Sequence, residues 1–251
     1  MELRLHVFLA RAGMGSRREM EQAMVDGRVT VDGNVVKTMG TKIDPSLSVI
    51  ALDGRPASLP SACIYVMLNK PQGVLSTVRD DHRRRTVVDL LPSRWRSARV
   101  FPVGRLDMDS DGLMLMTNDG ELAHRLMHPR FQHEREYLVT VDTIPSKNKL
   151  RMLTEGIKLD DGLTAPAVVE IVEANKDGAV LRVVLREGKN RQIKRMMLAC
   201  GIGVLNLHRV RIGKIQLGDL GDGESRELDV EEQQQLFSAV GLKTVFRDLV
   251  G

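Results

Sequence analysis

The chain has 251 residues, of which 42% are hydrophobic and 28% are charged, with a formal net charge of +4 and a pI near 9.2. No run approaches the roughly 18 apolar residues of a membrane-spanning helix, and the first residues are too charged for a signal peptide. We therefore expect a cytoplasmic protein that is not inserted in a membrane, and the length predicts two domains.

The N-terminal segment is predicted to form two helices. Apolar residues recur at helical spacing, at Leu5, Phe8, Leu9 and Ala12. Gly13 and Gly15 interrupt this pattern and end the first helix. Ser16 and Glu19 then form a capping-box pattern, in which each side chain can bond the backbone N–H of the other residue. Gly27 is placed to end the second helix.

A hairpin and a linker follow these helices. Two short β-type runs, residues 28–31 and 34–36, flank Asp32-Gly33, a dipeptide typical of tight hairpin turns. Residues 44–62 contain three prolines and several serines, which indicates the end of a domain and a linker. We therefore place a small helix-and-hairpin domain at residues 1–60 and a larger domain at residues 61–251.

The larger domain is predicted to have an α+β fold. Apolar and β-branched runs predict strands at residues 64–68, 136–142, 168–173 and 179–185, and helical patterns cover residues 121–127 and 192–200. The strands outnumber the helices and do not alternate regularly with them. We therefore expect a mixed, largely antiparallel sheet with flanking helices.

Positive charge is concentrated in two stretches of the larger domain. The first basic cluster, residues 79–105, contains Arg79, Arg83, Arg84, Arg85, Arg94, Arg96, Arg99 and Arg105, with Asp80, Asp81 and Asp89 as its acidic residues. The second basic cluster, residues 182–214, contains Arg182, Arg186, Lys189, Arg191, Lys194, Arg195, Arg209, Arg211 and Lys214, with Glu187 as its one acidic residue. Such clustering favours a polyanionic partner, and a solvated basic face is the alternative.

An acidic segment at residues 104–112 has the spacing of a calcium loop. Asp107, Asp109, Asp111 and Gly112 fit positions 1, 3, 5 and 6 of that pattern. Position 12, which requires a bidentate Glu, falls on Asn118, and no helical pattern enters the loop. A calcium site is therefore disfavoured.

Other metal patterns are equally incomplete. His124 and His128 are four residues apart on a predicted helix, but no Glu follows His124 and no third ligand lies nearby, so helix-surface or core histidines are expected. Cys63 and Cys200 match no metal-binding spacing, and we expect reduced, buried thiols. The sequence predicts no metal site.

The N-terminal segment resembles the S4 RNA-binding domain. The resemblance lies in residues 4–13, in Ser16-Arg17-Arg18 and in residues 27–33, and it covers roughly residues 3–50. In that family the basic residues of the paired helices face RNA. The resemblance therefore implies RNA contacts by Arg4, Arg11, Arg17, Arg18 and also Lys37, with ordinary solvent-facing arginines as the alternative.

The larger domain resembles the RsuA/RluB-type ribosomal RNA pseudouridine synthases. Gly104-Arg105-Leu106-Asp107 and residues 110–120 carry the resemblance, supported by residues 68–74, 86–92, 126–129 and 187–197. The tail from residue 230 to 251 lies outside it. The resemblance implies a cofactor-free isomerisation of uridine to pseudouridine in ribosomal RNA, and details of residues 15–18 and 135–137 favour the large-subunit (23S) type over the 16S type.

The resemblance also assigns roles to individual residues. It implies that Asp107 is the catalytic carboxylate, with Tyr137 stacking on the uracil and Lys194 as the cation beside Asp107. Arg105 is implied to occupy the gap left by the flipped nucleotide. The implied substrate-binding residues are Arg105, Arg191, Ile193 and Lys70, with Met196 as a second apolar wall beside Ile193. The alternatives are a structural ion pair for Lys194 and core positions for Tyr137, Ile193 and Met196.

These roles predict a particular geometry. Burial disfavours an ionised carboxylate, so we expect a buried Asp107 beside Lys194 or Arg105, facing Tyr137 across an open pocket. Asp109 and Asp111 are expected to be dispensable for the chemistry. Two departures from the common family pattern, Asn69 before Lys70 and Arg135 two residues before Tyr137, bear on substrate fit.

Two other functions are compatible with the same basic clusters. One is a non-catalytic RNA-binding or ribosome-assembly factor, which would not require Asp107, Tyr137 and Lys194 together. The other is a metal-dependent hydrolase. For the synthase we expect ribosomal RNA as the partner, phosphate contacts by Arg83, Arg84 and Arg85, and a monomeric enzyme.

Overall fold

The computed structural model describes residues 2–60 and 62–242. The chain divides into two compact units, one with residues up to 63 together with 118–120, the other with residues 64–117 together with those from 121 onward. Among the described helices, none has the length and apolar character needed to cross a membrane.

The first unit combines two helices with short strands. Its elements are β1 (Leu3–Arg4), α1 (Leu5–Arg11), α2 (Arg17–Val25), β2 (Val29–Val31), β3 (Asn34–Val35), β4 (Lys42–Ile43), β5 (Ile50–Leu52) and β6 (Arg55–Pro56). A four-stranded sheet has the order β3-β2-β5-β6, and β1 pairs with β4. Leu5, Leu9, Met24 and Val29 are fully buried between helices and sheet.

Local sequence patterns explain how these elements begin and turn. The Ser16 N–H donates to Glu19 Oε2 at 2.6 Å, and the Glu19 N–H donates to Ser16 Oγ at 3.2 Å. This confirms the predicted capping box. Asp32 and Gly33 both have positive φ, 51° and 81°, as a type I′ hairpin turn requires.

The second unit is built on a large sheet. Its strands are β7 (Tyr65–Lys70), β8 (Phe101–Pro102), β9 (Asp111–Thr117), β10 (Arg135–Val141), β11 (Lys158–Leu159), β12 (Gly162–Leu163), β13 (Val168–Asn175), β14 (Gly178–Leu185), β15 (Val204–Ile212), β16 (Ile215–Gln216) and β17 (Ser225–Glu227). Its helices are α3 (Ser93–Ser97), α4 (Gly120–Met127), α5 (Lys147–Glu155), α6 (Gln192–Ala199) and α7 (Val230–Ala239), with a 3-10 turn at Pro129–Phe131.

The large sheet has the order β13-β14-β10-β15-β9-β7-β17, with β16 added to β15 and β8 added to β9, and β11 and β12 form a separate two-stranded sheet. Every pair along the large sheet is antiparallel except β9 with β15, which run parallel. The predicted α+β fold with a mixed, largely antiparallel sheet is confirmed. Strands β7 and β9 are buried on both faces, since Leu68 and Met114 pack in one core and Met67 and Leu113 in another.

Several elements were not predicted. Strand β9 is an almost continuous apolar run, without the alternation that marks a half-exposed strand. Strand β15 lies within the second basic cluster, where Arg and His alternate with apolar residues and hide its β pattern. Helix α7 lies in the tail outside the family resemblance, and it contributes Leu236 and Phe237 to a core. Residues 243–251 of that tail lie outside the described residues.

The prediction that both cysteines are buried is correct for Cys200 and wrong for Cys63. Cys200 is buried, and burial raises the pKa of its thiol. Cys63 is exposed, because it lies in the connection that precedes β7 and not in a core element.

Candidate active site

Asp107 lies on a loop between β8 and β9 that is held by the segment following β7. Ser76 Oγ donates to the Leu106 carbonyl at 2.7 Å and accepts the Leu106 N–H at 3.1 Å. The Gly73 N–H donates to the Met108 carbonyl at 2.7 Å. The residues immediately before and after Asp107 are therefore both anchored.

Lys70 stabilises the same loop through hydrogen bonds to backbone carbonyls. Its side chain is fully buried, and Nζ donates to the carbonyls of Ser110 at 2.7 Å and Pro71 at 2.9 Å. Burial lowers the pKa of Lys70 to about 8, although the carboxylates of Asp111 and Asp107 act in the opposite direction. Lys70 is not among the residues that line the cleft described below, so the expected direct substrate contact is wrong in this geometry.

Gly112 allows the loop to enter the sheet. It pairs with Arg209 where β9 and β15 run parallel, and its φ is +102°. A Cβ at this position would collide with the backbone nitrogen and oxygen of Arg209. The Gly112 of the acidic segment is therefore explained by close backbone approach between two strands.

The loop opens on a cleft of about 750 Å³ within the second unit. This volume lies in the range of small-ligand sites. The cleft is lined by five of the predicted site residues, namely Arg105, Asp107, Tyr137, Arg191 and Ile193. Residues that are 88 positions apart in the chain thus meet around one opening. Met196, the second predicted wall, lies in the core behind Ile193 and does not line the cleft.

The predicted surroundings of Asp107 are wrong in two respects. Asp107 is half-buried instead of buried, and among the described residues neither Lys194 nor Arg105 lies within ion-pair distance of its carboxylate. Lys194 instead binds Asp109, with 2.7 Å between Nζ and Oδ1, and Arg191 lies 3.4 Å from the same carboxylate. The turn in which the Ser110 N–H donates to the Asp107 carbonyl directs Asp109 toward α6.

The neighbouring carboxylates have separate partners. The hydrogen bond from Lys194 lowers the pKa of Asp109. Burial by itself raises the pKa of Asp111, but hydrogen bonds from His208 and Gln72 outweigh it and lower the pKa overall. In the part of the chain that the structure describes, no three His, Cys, Asp or Glu side chains are grouped as metal ligands. His124 and His128 are exposed.

The residues predicted to contact RNA are mostly exposed. In the first unit Arg4, Arg17, Arg18 and Lys37 are exposed, and Arg11 is half-buried. In the second unit Arg83, Arg84, Arg85 and Arg105 are all exposed, with Arg105 on the lining of the cleft. Arg84 forms an ion pair with Asp80 at 2.7 Å.

Two residues of the site were missed by sequence reasoning. Ser76 clamps Leu106, but a single Ser after a glycine-containing turn carries no distinctive pattern. Arg209 is buried on the cleft lining, and in the sequence it was counted with the second basic cluster as a surface charge. Only the position of Arg209 in β15 shows that it is buried, unlike the other basic residues of the second cluster.

The comparisons with known proteins match both units. Residues 64–199 match the RNA pseudouridylate synthase family, and residues 3–49 match the S4 domain. The chain belongs to the RNA pseudouridylate synthase family. The resemblance inferred from residues 3–50 and from the motifs around Asp107 is thereby confirmed, and the protein is an RNA pseudouridine synthase with an N-terminal S4 domain.

Relatives match the chain over nearly its whole length. It is 45% identical over 244 residues to an RNA pseudouridine synthase of Mycobacterium tuberculosis, covering 96% of this chain and 95% of the relative. It is 38% identical over 235 residues to ribosomal large subunit pseudouridine synthase B of Bacillus subtilis, covering 93% and 95%. A crystal structure of a pseudouridylate synthase is 31% identical, with a TM-score of 0.68 over 93% of this chain and 99% of that chain.

Proposed function

We propose that this pseudouridine synthase modifies a uridine of large-subunit ribosomal RNA, with Asp107 as its catalytic carboxylate and without a cofactor. The observation that carries the proposal is the position of Asp107. Its loop is anchored on both sides, and the residue lines the same cleft as Tyr137, Arg191 and Ile193.

The reaction explains why a carboxylate suits this position. The N1–C1′ bond of uridine breaks, its electron pair goes to the uracil ring, and C1′ becomes electron-poor. After the ring turns, C5 bonds to C1′, C5 loses its proton and N1 gains one. A carboxylate can add to an electron-poor carbon or stabilise it electrostatically, whether at C1′, at C6 of the ring or on a route through a glycal. No electrons are exchanged with a second reactant, so no redox cofactor is required.

The other residues of the cleft have complementary roles in this proposal. Tyr137 stacks on the uracil, and Ile193 forms an apolar wall beside it. Arg105, exposed at the opening, occupies the gap left by the flipped nucleotide. Lys194 acts as a positioning residue, because it holds the loop through Asp109 and does not contact Asp107.

The choice of ribosomal RNA rests on two observations. The S4 domain presents Arg4, Arg17 and Arg18 to solvent, as contacts to a structured RNA backbone would require. The Bacillus subtilis relative, which matches over nearly the whole chain, is named a large-subunit ribosomal enzyme. In this proposal residues 1–60 form the RNA-docking domain and residues 61–251 form the catalytic domain.

The test is to treat 23S and 16S ribosomal RNA fragments with purified protein and to map pseudouridine by carbodiimide-dependent reverse-transcription stops. We expect a stop at a 23S position with the wild type, and a rate at least about 10³-fold lower with Asp107→Asn. Asp109→Asn, two residues along the same loop, is the matched control and should slow the reaction by only a few-fold, since it removes a carboxylate that holds the loop and not the reacting group.

Each outcome identifies the part of the proposal that fails. Modification of 16S fragments alone would overturn the large-subunit assignment and leave the chemistry intact. Full activity of Asp107→Asn would remove Asp107 from the mechanism. A wild type that modifies neither RNA would overturn the ribosomal substrate.

A further inference from the structure

A β-bulge in strand β15 separates two arginines onto opposite faces of the sheet. Tyr137 pairs with Arg209 and Glu136 pairs with Arg211, so Val210 is the extra residue between them. Directly paired residues of antiparallel strands place their side chains on the same face. Arg209 therefore lies beside Tyr137 at the cleft, whereas Arg211 lies on the other face with Glu136.

The surroundings of Arg209 are unusual for a buried cation. Arg209 is 2% exposed, and its Nε donates to the Leu113 carbonyl at 2.7 Å. Among the described residues, no hydrogen-bond partner reaches its buried Nη2 atom, and no carboxylate lies within 4.0 Å of its guanidinium. A buried charge is costly without a partner, which suggests that the partner arrives with the substrate.

Arg135 adds a second positive charge next to Tyr137. It lies two residues earlier on β10 and lines the same cleft. Its Nη atoms donate to two backbone carbonyls, that of His133 at 3.3 Å and that of Leu126 at 3.2 Å. Burial lowers the pKa of Arg135; of its neighbours, Tyr137 acts in the opposite direction and Arg209 acts in the same direction as burial. Two guanidinium groups that have no carboxylate partner among residues 2–60 and 62–242 thus accompany Tyr137 at the cleft.

We propose that Arg209, assisted by Arg135, stabilises the negative charge that the uracil ring acquires when the N1–C1′ bond breaks. The electron pair of that bond spreads over the ring and its two carbonyl oxygens, and the positive charge of the Arg209 guanidinium on the cleft lining stabilises it electrostatically. The charge disappears once C5 has bonded to C1′ and N1 is protonated. The stabilisation is therefore specific to the bond-breaking state, as catalysis requires. This inference rests on the proposed attack on an RNA uridine.

The test compares two RNAs that differ only at the target base, uridine or 5-fluorouridine. Fluorine withdraws electrons and makes the departing ring a more stable anion, which then depends less on Arg209. Single-turnover cleavage of the N1–C1′ bond is followed by nuclease digestion and chromatography. Arg209→Gln should slow cleavage of uridine by about 10²-fold, and of 5-fluorouridine by clearly less. Arg209→Lys should recover part of the loss, and RNA affinity should stay within about two-fold of the wild type.

Arg211→Gln is the matched control, because it removes a guanidinium two residues along β15 that is bound to carboxylates on the opposite face. Any slowing that it causes should be equal for the two RNAs. If Arg209→Gln does not fold, Arg135→Gln is measured with the same pair of RNAs. Equal slowing of uridine and 5-fluorouridine would overturn the inference. A wild type that cleaves neither RNA would instead overturn the proposed function.

Discussion

Arg83 and Arg85 of the first basic cluster are exposed, and neither has an ion pair within 4.0 Å in the part of the chain that the structure describes. In the second basic cluster, Arg182 and Arg211 share the carboxylate of Glu136, at 3.0 Å and 2.6 Å. Both stretches are rich in arginine, yet Arg83 and Arg85 of the first keep their charge available for a partner, whereas most basic residues of the second are paired with carboxylates.

The acidic partners of the second cluster come from distant parts of the chain. Its ion pairs join Arg182 to Glu136 and Glu170, Arg186 to Glu134, Lys189 and Arg195 to Asp161, Arg191 and Lys194 to Asp109, and Arg211 to Glu134 and Glu136. Antiparallel pairing of β10 with β14 and β15 brings Glu136 between two of these arginines. Charge counted along a sequence therefore overestimates the charge that a folded surface presents.

The largest expected effect is a loss of folding stability when the carboxylate of Glu136, which two arginines of the second cluster share, is removed. Glu136→Gln leaves Arg182 and Arg211 without it, and the Glu136 side chain is only 16% exposed. We expect the free energy of unfolding to fall by about 2 kcal/mol, measured by urea denaturation at pH 7. Glu173→Gln, at an exposed position of β13, is the control and should change it by less than about 0.5 kcal/mol.

The same pair of proteins gives a pH test. Burial by itself raises the pKa of Glu136, but hydrogen bonds from Arg211 and Arg182 outweigh it and bring the pKa below its ordinary 4.5. A carboxylate whose pKa is lower in the folded state than in the unfolded state stabilises the fold at pH values above its unfolded-state pKa. This stabilisation is lost as the pH falls through the folded-state pKa. The difference between wild type and Glu136→Gln should therefore shrink below pH 4.5. A constant difference down to acid pH would contradict the ion-pair explanation.

The next effect concerns RNA affinity. Replacing Arg83 and Arg85 with Ala should weaken ribosomal RNA binding about ten-fold and reduce the salt slope by about 0.7–0.9 per lost phosphate contact. Filter binding over a series of salt concentrations measures both quantities. The matched control replaces Arg182 and Arg195, whose charges are already neutralised by acidic residues. If this control reduces the slope equally, the contrast between the clusters is wrong.

The smallest expected effect concerns Asp109, where the second cluster reaches the catalytic loop. Asp109→Asn should change the free energy of unfolding by less than about 0.5 kcal/mol, since the carboxylate is about half exposed, and should slow turnover a few-fold. If Lys194 acts by holding the loop, Lys194→Met should have the same effect as Asp109→Asn, and the double variant should be no slower. A much slower Lys194→Met enzyme would show that Lys194 acts on the chemistry directly.

Much of the fold was predictable because its signals are local. The capping box at Ser16 and Glu19 and the turn at Asp32-Gly33 depend only on residues a few positions apart. Strand β9 was missed because its apolar run is buried on both faces, so the alternation expected for a half-buried strand is absent.

The sequence by itself determined the family, the two kinds of domain and the candidate carboxylate, because motif order survives in the linear chain. Only the tertiary structure decided that Lys194 binds Asp109 instead of Asp107, and that Arg209 lies at the cleft while Arg211 does not. The physical reason is that the interacting residues are far apart in the sequence. Ion pairs and burial depend on partners that lie tens of residues away in the chain. The direction of a side chain depends on a loop turn or a β-bulge, and local sequence spacing predicts neither.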